Sequence, residues 1–390
     1  MRVFMINSVC GIRSTGRICT DIAEILEANG HECKIAYGRE EVPQKYQKYA
    51  VRIGNAKSVK WDALKTRLLD NAGFNSKRAT KKLIQQIQEY NPDVIHLHNL
   101  HGYYVNVEVL FRYLKTCGKK IVWTLHDGWA FTGHCACFDF AGCEQWKNGC
   151  EKCPQKKEYP KSILLDKSKR NYAKKKELFT GIPNFTIVMP SQWLANLVKQ
   201  SFLKEYEVKV IRNGIDTKVF KPTDSGVRQI YGLQDKKILL GVASAWVERK
   251  GLSDFIELSQ SLDEGYQVVL IGVTEAQKKT LPKEILAITR TNNVQELAGW
   301  YTAADVFLNP TYEDNYPTVN LEAQACGAPV ITYATGGSVE NVPEENVVAR
   351  GDVQAMIKQI EEGTYSREVV KNVSWKKDEC YGEYVALYEE

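Results

Sequence analysis

The densest run of chemistry-bearing residues in the sequence is Asn309-Pro-Thr-Tyr-Glu-Asp-Asn-Tyr-Pro317, which continues through Thr318 and Glu322 to Gly327-Ala-Pro-Val330. It reads as a strand, a polar loop, a helix starting near Pro317 or Thr318, and a new buried strand. Proline suits the first turn of a helix because its missing N–H is not needed there. The amides left open at such a start favour a phosphate. Asp314 sits in the loop and Glu322 about one turn into the helix. Carboxylates so spaced can accept hydrogen bonds from sugar hydroxyls on either side of a diphosphate. The competing account makes Glu313 and Asp314 solvated loop charges and Glu322 an exposed helix residue.

Histidine forms a second cluster. His96, His98 and His101 close one predicted strand, and His126-Asp127 closes the next, so four of the six histidines stand at two strand ends. His96 and His98 share a face by the strand period of two. A metal site of His96, His98, His126 and Asp127 would use ligand types that suit zinc; local capping around a core histidine is the structural alternative. A third segment, Gly11 to Arg17, follows the first strand and opens a helix. Its glycine spacing lacks the lysine and Ser/Thr of a triphosphate loop and the full dinucleotide fingerprint. It reads as close backbone approach to a ligand or as a structural turn.

Five of the 11 cysteines, Cys135, Cys137, Cys143, Cys150 and Cys153, fall between residues 135 and 153. Three accounts stand side by side: a small structural zinc site, reduced thiols that are buried or line a site, and disulfides. No metal is assigned. Aromatic residues around this insert, such as Trp129, Phe131 and Trp146, suit sugar stacking or core packing equally.

These residues need a scaffold, and the hydrophobic pattern supplies one. Val3–Ile6 reads as a strand, Ile18, Ile22, Ile25 and Leu26 fall at helical spacing, and 32–37 resumes as a strand. From about 38 to 77 the pattern weakens. Helix 79–90, strand 93–98, helix 104–117, strand 120–125, helix 165–179 and strand 185–189 restore the alternation. A second series starts with strand 237–243 and runs through helix 251–262, strands 267–271 and 286–290, helix 294–303 and strand 305–309. Helix 318–327 and strand 329–333 complete it. Alternation of this length means α/β architecture with parallel sheets covered on both faces, whose ligands gather at the carboxyl ends of the strands. Two Rossmann-like domains are expected, 1–205 and 206–371, joined through the turn-rich stretch 208–235, with a last helix, about 372–390, packing back on the first.

Composition narrows the class. With 44% apolar and 25% charged residues the chain is globular, and a net charge of +5 gives no sign of a nucleic-acid partner. No apolar run has the length of a membrane span. The amino terminus enters a strand at once, so no leader is expected before it. The expected location is cytoplasmic, with reduced thiols and peripheral contact at the inner face of the cell membrane.

The stretch from Asp314 to Val330 resembles family 4 of the retaining glycosyltransferases, which have the GT-B architecture of two facing Rossmann-like domains with a cleft between them. The family's paired acidic residues land on Asp314 and Glu322, and its Ala-x-Ala-x-Gly-x-Pro-Val run on Ala323, Ala325, Gly327, Pro329 and Val330. The first acidic position is more often Glu; here it is Asp, preceded by Glu313. The Asp314-Asn315 pair resembles a subgroup of bacterial transferases for exopolysaccharide and lipopolysaccharide assembly. The resemblance implies that Asp314 reaches hydroxyls of a nucleotide-sugar donor and that Glu322 grips its ribose. Lys250 matches a family lysine that clamps the donor diphosphate. The usual arginine position is Ala245 here, and Arg249 is the candidate to supply the missing guanidinium. Gly16 and Arg17 are placed near the donor phosphate or the acceptor, and His126 at the transferring sugar. The implied activity is transfer of a hexosyl-type group, with retention, to a glycan or lipid-linked acceptor, without a cofactor. A nucleotide-sugar epimerase or a phosphorylase on the same scaffold, a metal-dependent hydrolase, and a noncatalytic assembly subunit are the rival readings.

Overall fold

The computed structural model describes residues 1–369 and 374–390. The chain divides into two compact units, Met1–Arg212 with Cys380–Glu390, and Asn213–Glu379.

The first unit runs β1 (Arg2–Asn7), α1 (Arg13–Ala28), β2 (Glu32–Tyr37), β3 (Ala50–Arg52), α2 (Ala56–Leu69), α3 (Lys77–Tyr90), β4 (Val94–Leu97), α4 (Val107–Leu114), β5 (Lys120–Thr124), α5 (Ser168–Phe179), β6 (Phe185–Met189), α6 (Gln192–Val198) and β7 (Glu207–Val210). Its seven strands lie in the order β3-β2-β1-β4-β5-β6-β7, all parallel. Burial on both faces explains why β1 is apolar from Val3 through Ile6. Phe4 and Ile6 pack with Leu97, Phe111 and Trp123 on one face. Val3 and Met5 pack with Ile22, Leu26 and Val188 on the other, where Tyr384 and Tyr388 join them.

In the second unit come α7 (Val227–Ile230), β8 (Lys237–Val242), α8 (Leu252–Ser261), β9 (Tyr266–Ile271), α9 (Glu275–Thr280), β10 (Ile285–Ile288), α10 (Val294–Ala303), β11 (Val306–Asn309), α11 (Thr318–Ala325), β12 (Val330–Tyr333), β13 (Val347–Val348) and α12 (Val353–Glu362). The strand order is β10-β9-β8-β11-β12-β13, again all parallel. That is a doubly wound sheet, with its topological switch point between β8 and β11. Ile238, Leu240 and Phe307 fill one face with Trp300 and Leu321. Leu239, Leu270 and Leu308 fill the other with Phe255 and Met356.

The last helix, α13 (Lys377–Glu389), carries Tyr381, Tyr384 and Tyr388 into the core of the first unit. One boundary of the expected division differs. The strand Glu207–Val210 pairs with β6 in the first sheet, so the first unit extends past residue 205 to Arg212. The expected boundary at 371/372 lies outside the described residues. The sequence reading also passed over β3, α2, α9, β13 and α12. No helix among the described residues is long and apolar enough to cross a membrane.

Candidate active site

At the switch point of the second sheet, two loops leave the carboxyl ends of β8 and β11. The first ends in Arg249-Lys250-Gly251. Gly251 has φ +73°, and a Cβ there would come within 2.2 Å of the Pro310 carbonyl oxygen. Only glycine lets the loops approach so closely in that conformation. They are then tied together: Tyr312 N donates to the Arg249 carbonyl at 2.8 Å, and Arg249 Nη1 donates to the Glu313 carbonyl at 3.2 Å. Lys250 Nζ and Asp314 Oδ2 form an ion pair, with the side chains 22% and 20% exposed. Glu313, the alternative acid, is buried. Asn315 follows in the same loop, half-buried.

The far side of the Asp314 loop rests on the turn after β12. Gly337 N donates to the Asp314 carbonyl at 3.1 Å. A Cβ on Gly336, φ +52°, would stand 2.0 Å from that same oxygen. This contact explains the glycine at position 336 of Thr335-Gly-Gly-Ser338. Below the loop, buried Asp254 accepts from Tyr312 Oη at 2.9 Å and from Tyr333 Oη at 2.7 Å.

Helix α11 begins after Pro317, which supplies no side-chain cap. Of its first-turn amides, Asn320 N turns back to the Pro317 carbonyl at 3.3 Å, and the two before it have no carbonyl within the helix to donate to. A buried chain of amides fixes this start. Asn309 Nδ2 donates to Asn320 Oδ1, and Asn320 Nδ2 to Asn341 Oδ1, both at 2.9 Å; Asn341 Nδ2 donates to the Pro317 carbonyl at 3.1 Å. Glu322 is buried rather than exposed and accepts from Tyr301 Oη at 2.9 Å. The second unit thus gathers Arg249, Lys250, Asp314 and the start of α11 at one strand-end cluster.

In the first unit, parallel register brings the ends of β4 and β5 together, with Leu97 opposite Trp123. His98 Nδ1 lies 3.0 Å from His126 Nε2. Both rings stay neutral at ordinary pH: burial pushes His98 well below the usual imidazole range and His126 down to about 4, against the opposing pull of Asp127. One N–H therefore lies between two neutral imidazoles. His96 is held elsewhere, 2.8 Å from Thr124 Oγ1 and 2.6 Å from Tyr388 Oη of α13. Asp127 accepts from His101 Nε2 at 2.8 Å and from Trp129 N at 2.9 Å, which orients its loop. Of the four groups weighed as one metal set, His98 and His126 thus bond each other, while His96 and Asp127 bond other groups.

Gly16 is buried in α1, where a Cβ would come within 3.0 Å of Val9 Cγ2, and its carbonyl accepts from Gly11 N at 3.0 Å. Arg17 is exposed on the same helix and donates to the Arg13 carbonyl at 3.4 Å. Beyond β2 and β3 opens a cavity of about 760 Å³ whose lining includes Tyr37, Glu40, Gln47, Arg52 and Asn55.

All five cysteines of the 135–153 segment are free thiols. A hydrogen bond between Cys135 and Cys153 raises the former and holds the latter down to about 7. Cys150 Sγ accepts from Gly133 N at 3.1 Å. Among the described residues no group of three or more His, Cys, Asp or Glu side chains is arranged to hold a metal ion. Trp146 packs against Phe131 and Phe138, so these aromatics serve as core. Sequence reasoning missed Tyr301, Asn341 and Asp254, whose partners are distant in the chain, and the direct contact of His98 with His126.

Two doubly wound parallel units are the build of the GT-B class, and solved structures of that build match over the whole chain. Sucrose-phosphate synthase from Thermosynechococcus elongatus matches with a TM-score of 0.71 at 15% identity, covering 100% of this chain and 98% of that one. HepE of Anabaena, solved with UDP-glucose, matches with a TM-score of 0.67 at 13% identity, covering 100% and 99%. In sequence, residues 15–219 match the profile Glycosyltransferase Family 4 and residues 236–363 the profile Glycosyl transferases group 1. The first match takes in more than half the chain, and the chain belongs to glycosyltransferase family 4. Among curated relatives, the putative colanic acid biosynthesis glycosyl transferase WcaC of Escherichia coli K12 is 28% identical over 249 residues, 62% of this chain and 59% of its own length. The capsular polysaccharide biosynthesis glycosyltransferase CapM of Staphylococcus aureus is 26% identical over 182 residues, 42% of this chain and 48% of its own. The chain thus spans about three fifths or less of the length of these relatives.

Proposed function

We propose that the protein is a retaining glycosyltransferase that moves a hexosyl group from a nucleotide-sugar donor to a glycan or lipid-linked saccharide during assembly of a surface polysaccharide, working at the inner face of the cell membrane. The observation that carries this reading is the Lys250–Asp314 pair at the switch point of the second sheet, in front of the uncapped start of α11. A diphosphate placed there meets the Lys250 ammonium, the Arg249 guanidinium and first-turn amides. Fixed donors of this kind stabilise the charge that develops on a leaving phosphate.

In this reading Asp314 and Asn315 bond hydroxyls of the donor sugar, and buried Glu322, oriented by Tyr301, takes the ribose hydroxyls. His126 is neutral, so it acts as a hydrogen-bond partner that orients the sugar rather than as a cation. Gly16 and Arg17 belong to the acceptor-side unit with it. The cavity beyond β2 and β3 offers carboxylate, amide, guanidinium and aromatic groups, a set suited to an acceptor saccharide. The leaving diphosphate accepts the acceptor's proton on the face it vacates, which retains configuration without a separate strong base. WcaC and CapM, named for colanic acid and capsular polysaccharide, support the surface-polysaccharide assignment. A relative from Campylobacter jejuni, whose name specifies a diphospho-undecaprenol acceptor, supports the lipid-linked acceptor.

The test is release of nucleoside diphosphate from a panel of nucleotide sugars in the presence of glycan or lipid-linked acceptors, with NMR of the product. Acceptor-dependent release and an anomeric configuration equal to the donor's are expected. An inverted product, or epimerised donor without transfer, would overturn the reading.

A further inference from the structure

Helix α2 is built inside out. The two side chains it buries most fully are polar, Asp62 at 3% exposed and Thr66 fully buried, with only Val59 half-buried against the core. Asp62 accepts from Ser76 Oγ at 2.5 Å and from Asn75 Nδ2 at 3.0 Å. Its outward side is apolar, with Trp61 63% exposed and Leu64 and Leu68 following at helical spacing. A helix that had only to fold would turn those faces the other way.

A second apolar segment lies directly beside it. Ile163 N donates to the Arg67 carbonyl at 2.7 Å and Leu165 N to the Leu68 carbonyl at 3.3 Å, which lays Ile163-Leu164-Leu165 along the end of α2. Leu164 is 64% exposed. Seven of the fifteen exposed large apolar side chains found among the described residues fall in these two segments, so the patch is concentrated rather than scattered. It is also held as one piece. Buried Asp70, at the end of α2, accepts from His134 Nδ1 at 2.5 Å and from Lys167 N at 2.6 Å, joining the helix to the start of α5.

The border is predominantly basic, with exposed Asp166 after Leu165 an exception that accepts from Cys153 N and Ser168 N. Lys57, Lys60, Lys65 and Arg67 on α2 and Lys161 beside Ile163 are all exposed, and the one carboxylate of α2, Asp62, is turned inward. A second copy of this chain would bring the same positive charge against itself. An anionic lipid surface would meet both features: the apolar side chains enter the boundary between headgroups and acyl chains, and the lysines stay among the phosphates. Tryptophan is at home at that depth. The geometry points to α2 and the 163–165 loop as a docking surface for an anionic membrane. This surface stands whether or not the transfer reading holds.

The test is flotation of the full chain with vesicles of phosphatidylcholine alone and of equal phosphatidylcholine and phosphatidylglycerol. Binding to the anionic vesicles only, weakened by salt, is expected, with tryptophan fluorescence quenched by brominated lipid in the wild type and less in Trp61→Phe. Because the side chains are exposed, Leu64→Asp with Leu164→Asp is expected to keep the circular dichroism of the wild type. It is expected to reduce binding more than about tenfold. Lys60→Gln and Lys65→Gln are each expected to weaken it roughly fivefold. Wild type that stays off anionic vesicles, or an aspartate double variant that floats equally well, would overturn the inference. So would a dimer in sedimentation that the same double variant dissociates, since a second copy would then cover the patch. Nucleotide binding measured on the same preparation separates this outcome from failure of the donor site.

Discussion

Lys250 and Asp314, sixty-four residues apart in sequence, form an ion pair across the switch point of the second sheet. The lysine is thus partly neutralised before any ligand arrives. In the proposed reading, a donor diphosphate would share or take over that ammonium, and the carboxylate would then turn toward the sugar. Lys250→Met is expected to weaken binding of a bare nucleoside diphosphate about ten- to a hundredfold, the scale of one charge-assisted hydrogen bond. Asp314→Asn is expected to leave that binding intact or tighter while transfer falls. Calorimetry and turnover on the two variants check the split; parallel losses in both assays would contradict it.

His126 is held neutral, down to about 4 against an ordinary value of 6.5, chiefly by burial. If it orients the sugar as a neutral hydrogen-bond partner, the transfer rate is expected to show no histidine step between about pH 6 and 7. His126→Ala is expected to reduce turnover roughly a hundredfold with donor affinity unchanged. The measurements are a pH–rate profile and paired kinetic and binding data. A rate that falls with an apparent pKa near 6.5 and recovers its ordinary profile in the variant would assign the proton differently.

Lys175 is fully buried, donates to the Trp129 and Thr132 carbonyls at 2.6 and 3.1 Å, and lies over the Trp129 ring. Burial holds its ammonium down to about 7 from 10.5. Between those values the unfolded chain binds the proton and the folded chain does not. This residue's contribution to stability therefore rises with pH across the window and is lost as pH falls toward 7. Lys175→Met is expected to remove that slope and to cost about 1–3 kcal/mol at the alkaline end, where two carbonyls lose their donor. Denaturant melts of both proteins near neutral and at about pH 10 give the double difference, which cancels the other titrating groups.

Much of the scaffold was legible because its strands are buried on both faces and its helices on one. Residues 3–6 and 238–242 form continuous apolar runs, and Ile18, Ile22 and Leu26 mark the inner side of α1. Helix α2 was missed for the reverse reason: with Asp62 and Thr66 inside and Trp61 and Leu64 outside, its period does not report a core. Strand β7 was read as linker because Glu207-Val-Lys-Val210 is short and nowhere fully buried. In the site, Lys250, Asp314 and Glu322 were legible as residue types in a motif. Their partners were not. The contact of His98 with His126 depends on the register of two strands, and that of Tyr301 with Glu322 on how α10 packs beside α11, neither of which a sequence pattern states.

In the proposed reading a donor site in the second unit holds a nucleotide through Glu322. Calorimetric titration of UDP-, GDP- and ADP-linked sugars into the wild type and Glu322→Ala tests it most directly. Saturable binding of one nucleotide class, weakened at least about tenfold in the variant, is the predicted result. Tyr301→Phe, which leaves the carboxylate but removes its 2.9 Å hydrogen bond, is expected to fall between the two. No binding by any of them, or equal binding by wild type and Glu322→Ala, would contradict the account.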